Sequence, residues 1–281
     1  MPPPAHPPAT DRGHLTASDG LRLAWYRWDP AAKPRGTICI AHGLREHSER
    51  YRHVAGAFAD AGFAVLAMDW RGHGHSDGPR GYAPSYAQLL DDYGRLIGMA
   101  TAAPKFAYGH SMGGQAILNY GRLHPEGLDG VIATGPWLRL AFPAPAIKVL
   151  LGRVLSPILP KGTLPSGLEV AALSRDPEVV RAYLADPVIH DQLSFRLGIT
   201  MLDGGEDALA HAAEFRLPVL LAHGEADRIV DPRATESFYA QVGSSDKTMR
   251  LYQGFFHEIH NEPDWAEVLS DLTGWATARA G

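Results

Sequence analysis

A chain of 281 residues, 45% hydrophobic and 20% charged, has the material for one large α/β domain or two small ones. Its formal net charge of −5 leaves it without the basic surface that phosphate backbones require, which argues against a nucleic-acid partner. The single cysteine, Cys39, excludes an intrachain disulfide, and its apolar neighbours mark it as a buried, inert thiol.

The chain opens Met1-Pro-Pro-Pro-Ala-His-Pro-Pro, with neither a basic n-region nor an apolar h-region. Residues 1–12 are read as a disordered proline-rich tail without a secretory signal. Alternation over 21–28 predicts a half-exposed strand. Short apolar runs at 37–41, 64–68, 105–108, 130–133, 219–222 and 248–252 suit strands buried on both faces of a mainly parallel sheet. Helical spacing lies between them at 51–61, 86–100 and 112–123, so βαβ units and a three-layer α/β sandwich follow.

The alternation stops over 137–210. This stretch is proline-rich, offers no convincing strand, and carries Asp176-Pro177 and Asp186-Pro187, each patterned as a helix N-cap followed by proline. It is read as a helical cap over a core made of 13–136 and 211–281. The apolar segment 141–160 is interrupted by Pro143, Pro145, Lys148, Arg153 and Pro157, too often for a membrane span. A cytoplasmic protein is expected.

The motif G-x-S-x-G occurs at Gly74–Gly78 and at Gly109–Gly113. The chemistry needs its serine on a tight turn between a strand and a helix, where the helix N-terminus favours developing negative charge. Ser111 has a strand before it and a helical pattern after it, whereas Ser76 is followed by the loop sequence Asp-Gly-Pro-Arg-Gly. Ser111 is therefore the candidate nucleophile and Ser76 a turn residue.

A serine hydroxyl needs a base, and the base an orienting acid. Asp227 follows the buried run at 219–222, while Asp231 precedes Pro232 and reads as a helix N-cap. His257 follows the last strand. Its competitor His260, beside the start of the last helix, reads as a supporting or surface histidine. The backbone N–H groups of Met112 and Leu44 are the candidate oxyanion donors.

Taken together these segments resemble a known family. His42-Gly-Leu-Arg-Glu-His-Ser-Glu-Arg-Tyr51, Asp69-Trp-Arg-Gly-His-Gly-His-Ser76, Gly109-His-Ser-Met-Gly-Gly114, His223-Gly-Glu-Ala-Asp227 and Phe256-His-Glu-Ile-His260 resemble five ordered blocks of the α/β-hydrolase superfamily, in the branch of monoacylglycerol lipases and bacterial lysophospholipase-like proteins. The resemblance implies the α/β-hydrolase fold, with the helical cap inserted after the sixth strand. It implies a serine hydrolase cleaving lipid-like monoesters through an acyl-enzyme, and in that family the first histidine of the last block is the catalytic one. Lysophospholipase or short-chain carboxylesterase activity stays open beside it. Arg45 stands where the family usually has glycine, either facing solvent, narrowing the acyl pocket or meeting an acidic substrate.

Two rivals of other classes remain. His73-Gly-His75-Ser-Asp77 has an H-x-H-x-D spacing suited to zinc, but it falls inside the second block, whose glycines and serine have a structural role. A non-catalytic ligand binder on this fold would have no need to keep nucleophile, base, acid and both oxyanion positions. No P-loop or G-x-G-x-x-G is present, and neither metal nor organic cofactor is expected. Within the cap, Ile147, Leu150, Leu151, Val154, Leu155 and Ile158 recur at helical spacing. They form either an acyl entrance that touches membranes or micelles, or a face packed on the core.

Overall fold

In a computed structural model of the protein, residues 7–143 and 146–281 are described. The first strand, β1 (Asp11–Thr16), pairs antiparallel with β2 (Arg22–Trp28). Then come β3 (Thr37–Ala41), α1 (Arg52–Asp60), β4 (Ala64–Met68), α2 (Tyr86–Gly98), β5 (Lys105–His110), α3 (Met112–Leu123) and β6 (Gly130–Thr134). An insertion follows, containing α4 (Ala146–Ile158), β7 (Thr163–Pro165), α5 (Pro177–Ala185), β8 (Gln192–Ser194) and α6 (Phe195–Ala210). The chain closes with β9 (Val219–Gly224), α7 (Pro232–Gln241), β10 (Lys247–Tyr252) and α8 (Trp265–Ala280).

Eight strands form one sheet in the order β1-β2-β4-β3-β5-β6-β9-β10, parallel from β4 onward. Strands β3, β4, β6 and β9 are buried along their whole length, as unbroken apolar runs require. Side-chain alternation splits the core in two. Ile38, Ile40, Phe106 and Tyr108 pack with α1 and α8, whereas Cys39, Ala41 and Ala107 face α2, α3 and α7. Burial pushes the Cys39 thiol up to about 12, which keeps it protonated and unreactive.

The structure corrects several expectations. The tail, placed at 1–12, gives way to β1 at Asp11; residues 1–6 lie outside those described. β1 is an edge strand whose only large apolar residue is Leu15, so no hydrophobic alternation announces it. The insertion holds a two-stranded antiparallel ribbon, β7 with β8, whose strands are too short to leave a periodic signal. Asp176 caps α5 by accepting from the Glu178 amide at 2.9 Å. Asp186, expected to do likewise, instead ends α5, turns the chain by accepting from the Val188 amide and meets His47 of the core at 2.9 Å. No helix of the described residues is long and apolar enough to cross a membrane.

Candidate active site

Ser111 sits between β5 and α3 with φ of 53°, a left-handed conformation that a residue with a Cβ adopts only when its surroundings impose it. Its amide donates to the Thr134 carbonyl, and its own carbonyl accepts from Gln115 and Trp137, all at 3.0 Å. The flanking glycines are steric necessities: a Cβ on Gly109 would stand 2.5 Å from the Gly113 carbonyl oxygen, and one on Gly113 would stand 2.1 Å from that of Ala41. Only bare backbone lets α3 start this close to β5 and β3.

Ser76 has a different task. Its Oγ donates to the Asp69 carbonyl at 2.5 Å and accepts from the Ala24 amide at 2.9 Å, fastening the turn after β4 to β2. The neighbouring His73, His75 and Asp77 do not converge. His73 is buried against the rings of His42 and His190, His75 is exposed, and Asp77 pairs with Arg22.

Asp227 lies beyond β9 and His257 beyond β10, and their side chains meet. His257 Nδ1 donates to Asp227 Oδ2 at 2.6 Å, which leaves Nε2 as the acceptor nitrogen. Asp227 is saturated. Its Oδ1 accepts from the amides of Ile229 and Val230 at 2.8 and 3.0 Å, and its Oδ2 also accepts from His223 Nε2 at 3.0 Å. Thr235 in turn stands 2.8 Å from His223 Nδ1. Burial alone would raise the Asp227 pKa, but the two imidazoles and their hydrogen bonds hold it far below the usual carboxylate range. Burial alone would lower that of His257, yet Asp227, together with Glu258 and Glu46, outweighs it and holds the imidazole above its ordinary value.

Ser111 and His257 line the same pocket, of about 460 Å³, and His110, the residue before Ser111, has its ring centroid 4.6 Å from that of His257. The loop after β3 passes beside Ser111, since a Cβ on Gly43 would lie 3.3 Å from Ser111 Cβ. The next residue, Leu44, also lines the pocket, and Met112 is the first residue of α3. Neither the Leu44 nor the Met112 amide has a protein acceptor among the described residues. The far walls come from the insertion and are largely apolar, with Leu140, Val149, Leu164, Leu193 and Leu202 among them and Lys148 and Glu169 also present.

Beneath this loop lies a buried ionic group that sequence reasoning did not single out. Glu46 accepts from the Gly43 amide and from Tyr51 Oη, both at 2.6 Å. Arg50 pairs with Glu46 and, through two 2.7 Å contacts, with Glu258, the neighbour of His257. Burial favours the neutral form of both acids. Arg50 nevertheless draws Glu258 down to about 2, whereas the nearby Glu258 charge helps keep Glu46 raised. His260, expected to be supporting or on the surface, is fully buried and stacked on Tyr51 at 4.9 Å. Burial holds it far below the ordinary histidine range, and so neutral. His223 was noticed only as part of the acid block; its spacing of four residues before Asp227 was the available signal.

A model of the Hydrolase_4 family, described as serine aminopeptidase S33, matches residues 32–264. The chain belongs to that family. Among its relatives, a monoacylglycerol lipase of Mycolicibacterium smegmatis is 35% identical over 261 residues, covering 91% of this chain and 93% of that one. An abhydrolase domain-containing protein of Dictyostelium discoideum is 36% identical over 95% of this chain, which spans only 29% of that longer protein. The crystal structure of a monoacylglycerol lipase from Paleococcus ferrophilus superposes with a TM-score of 0.85 at 34% identity, covering 91% of this chain and 99% of the other. This Hydrolase_4 member is an α/β-hydrolase and a monoacylglycerol lipase-like ester hydrolase.

Proposed function

We propose that the protein cleaves lipid-like carboxylic monoesters, monoacylglycerols foremost, through an acyl-enzyme on Ser111. The reading is carried by one observation: a serine on a backbone-strained strand–helix turn opens into the same apolar pocket as the His257–Asp227 pair. Ser111 Oγ attacks the ester carbonyl while His257 Nε2 takes its proton, and the bond from carbonyl carbon to Oγ forms. The Leu44 and Met112 amides stabilise the oxyanion, a donor of this kind being worth about 3 kcal/mol. His257 returns the proton to the alcohol as the C–O bond breaks. Water then attacks the acyl-enzyme by the same route in reverse, releasing the fatty acid. Asp227 stays ionised throughout and keeps the imidazole in the required tautomer.

Apolar walls fit an acyl chain, and relatives named as monoacylglycerol lipases support glycerol as the alcohol. Five of the six apolar residues marked along α4 are between 44% and 75% exposed, and Leu155 is partly buried. None of the six lines the pocket, so this face is assigned to transient contact with membranes or micelles, from which such substrates come.

Ser111→Ala tests the mechanism. It should keep the fold, lose labelling by a fluorophosphonate, and lose turnover of a monoacylglycerol by roughly 10⁴-fold or more, with His257→Ala close behind. Wild-type protein that neither labels nor turns over any ester in a panel of monoacylglycerols, lysophospholipids and p-nitrophenyl esters would leave only a ligand-binding role.

A further inference from the structure

Arg45 follows the oxyanion loop residue Leu44 and is neither solvent-facing nor part of the pocket lining. It is 7% exposed and has φ of 64°, a left-handed backbone that disfavours any residue with a Cβ and persists only where contacts over-determine it. Among the described residues, the hydrogen-bond and ionic partners of its side chain come from the insertion. Arg45 Nε donates to the His190 carbonyl at 3.1 Å, and Nη1 donates to Ser166 Oγ at 3.0 Å and lies 3.2 Å from Asp191 Oδ1. Asp191 Oδ1 also accepts from the Ser166 amide and hydroxyl at 3.0 and 2.8 Å. The Arg45 carbonyl accepts from Tyr183 Oη at 3.1 Å.

The placement of those partners gives the contacts their meaning. Ser166 immediately follows β7 and Asp191 immediately precedes β8, so the guanidinium grips both strands of the ribbon at one end. The same ribbon and its flanks supply Leu164, Ser166, Leu168 and Leu193 to the pocket wall. We propose that Arg45 is a positioning residue for acyl-chain selectivity: it holds the end of the β7–β8 ribbon against the oxyanion loop, and thereby fixes the pocket wall that the ribbon forms. The inference rests on the ester-hydrolase reading of this pocket and adds a determinant of which esters fit it.

Arg45→Gly removes the guanidinium and at the same time relieves the backbone, so the loop keeps its path while the tether is lost. Kinetics on p-nitrophenyl esters from acetate to palmitate should separate KM from kcat. On the acetate, both should stay within about twofold of wild type, because the reacting groups are untouched. For the long esters KM should rise about tenfold, the size of effect that loosening a few pocket contacts produces. Asp191→Asn should raise the long-chain KM in the same direction, and the double variant should be no worse than Arg45→Gly alone. Hydrogen exchange on the wild type and the Arg45→Gly variant, without substrate, should show faster uptake at 163–168 and 190–194 and unchanged uptake at 257–258. Unaltered exchange in the ribbon would overturn the proposal. So would a loss of kcat on the acetate as large as on palmitate, which would assign Arg45 to the oxyanion loop itself. Because exchange is read without turnover, a wild-type protein inert toward every ester would defeat the hydrolase reading and still leave the tether to be judged on its own.

Discussion

His257 and Asp227 form a pair whose charge state is decided by two opposing forces at one imidazole. Burial disfavours the cation, and the Asp227 carboxylate at 2.6 Å, with Glu258 and Glu46 behind it, more than offsets burial. In the proposed mechanism a protonated His257 has no lone pair with which to accept the Ser111 proton, so activity should be lost as pH falls through its pKa. With that pKa raised, the acidic limb of the kcat/KM profile should have its midpoint above the ordinary imidazole value of about 6.5. Asp227→Asn removes the main force opposing burial and leaves only the weaker pull of Glu258 and Glu46. Its limb should move to lower pH while kcat drops by roughly 10⁴-fold, as the tautomer is no longer fixed. Profiles measured on both proteins check the sign: a wild-type midpoint below that of the variant would contradict the assignment. Ser111, Asp227 and His257, the residues proposed to react, were legible because each stands at a strand end in an ordered block. The residues that hold them, His223 and Glu258, were not, because their partners are distant in sequence or ambiguous until the chain is folded.

At the scale of elements, helix α4 shows what periodicity does and does not reveal. Its apolar spacing was readable, but a stripe has the same spacing whether it meets a core or faces outward. Only the fold shows most of this stripe exposed. Leu150→Ser combined with Leu151→Ser, both at exposed positions, should therefore cost little stability. Turnover of a long-chain monoacylglycerol in micelles should fall several-fold more than that of soluble p-nitrophenyl acetate. Equal losses on the two substrates would remove the membrane role. The buried strands of the sheet were plain in the sequence, since a short continuous apolar run between turns suits a strand covered on both faces. The edge strand β1 and the ribbon β7–β8 were invisible because one is largely polar and the other too short. Arg45 escaped a correct reading for a related reason: its partners lie 121 or more positions away.

Across the whole molecule, the Glu46–Arg50–Glu258 group joins the loop after β3 to the loop after β10 over 208 positions of sequence. Tyr183 of α5 lies over Arg50 with its ring centroid 4.8 Å from the guanidinium carbon, so the insertion is part of the same assembly. Arg50→Ala leaves two buried acids facing each other without their cation. It should cost about 3–5 kcal/mol and lower Tm by roughly 5–15 °C. Adding Glu46→Gln and Glu258→Gln to that variant should recover part of the loss, since no uncompensated charge then remains. Thermal melts at neutral pH read both effects, and an unchanged Tm in Arg50→Ala would show the group to be dispensable.

The distance this group spans also orders events during synthesis. Ser111 and its glycine-flanked turn are synthesised well before β9 and β10. The imidazole proposed to arm it, and the acid that ties that imidazole's loop to Arg50, follow β10. On the proposed mechanism, until β10 docks on β9 an emerging chain carries a serine no more nucleophilic than any other alcohol.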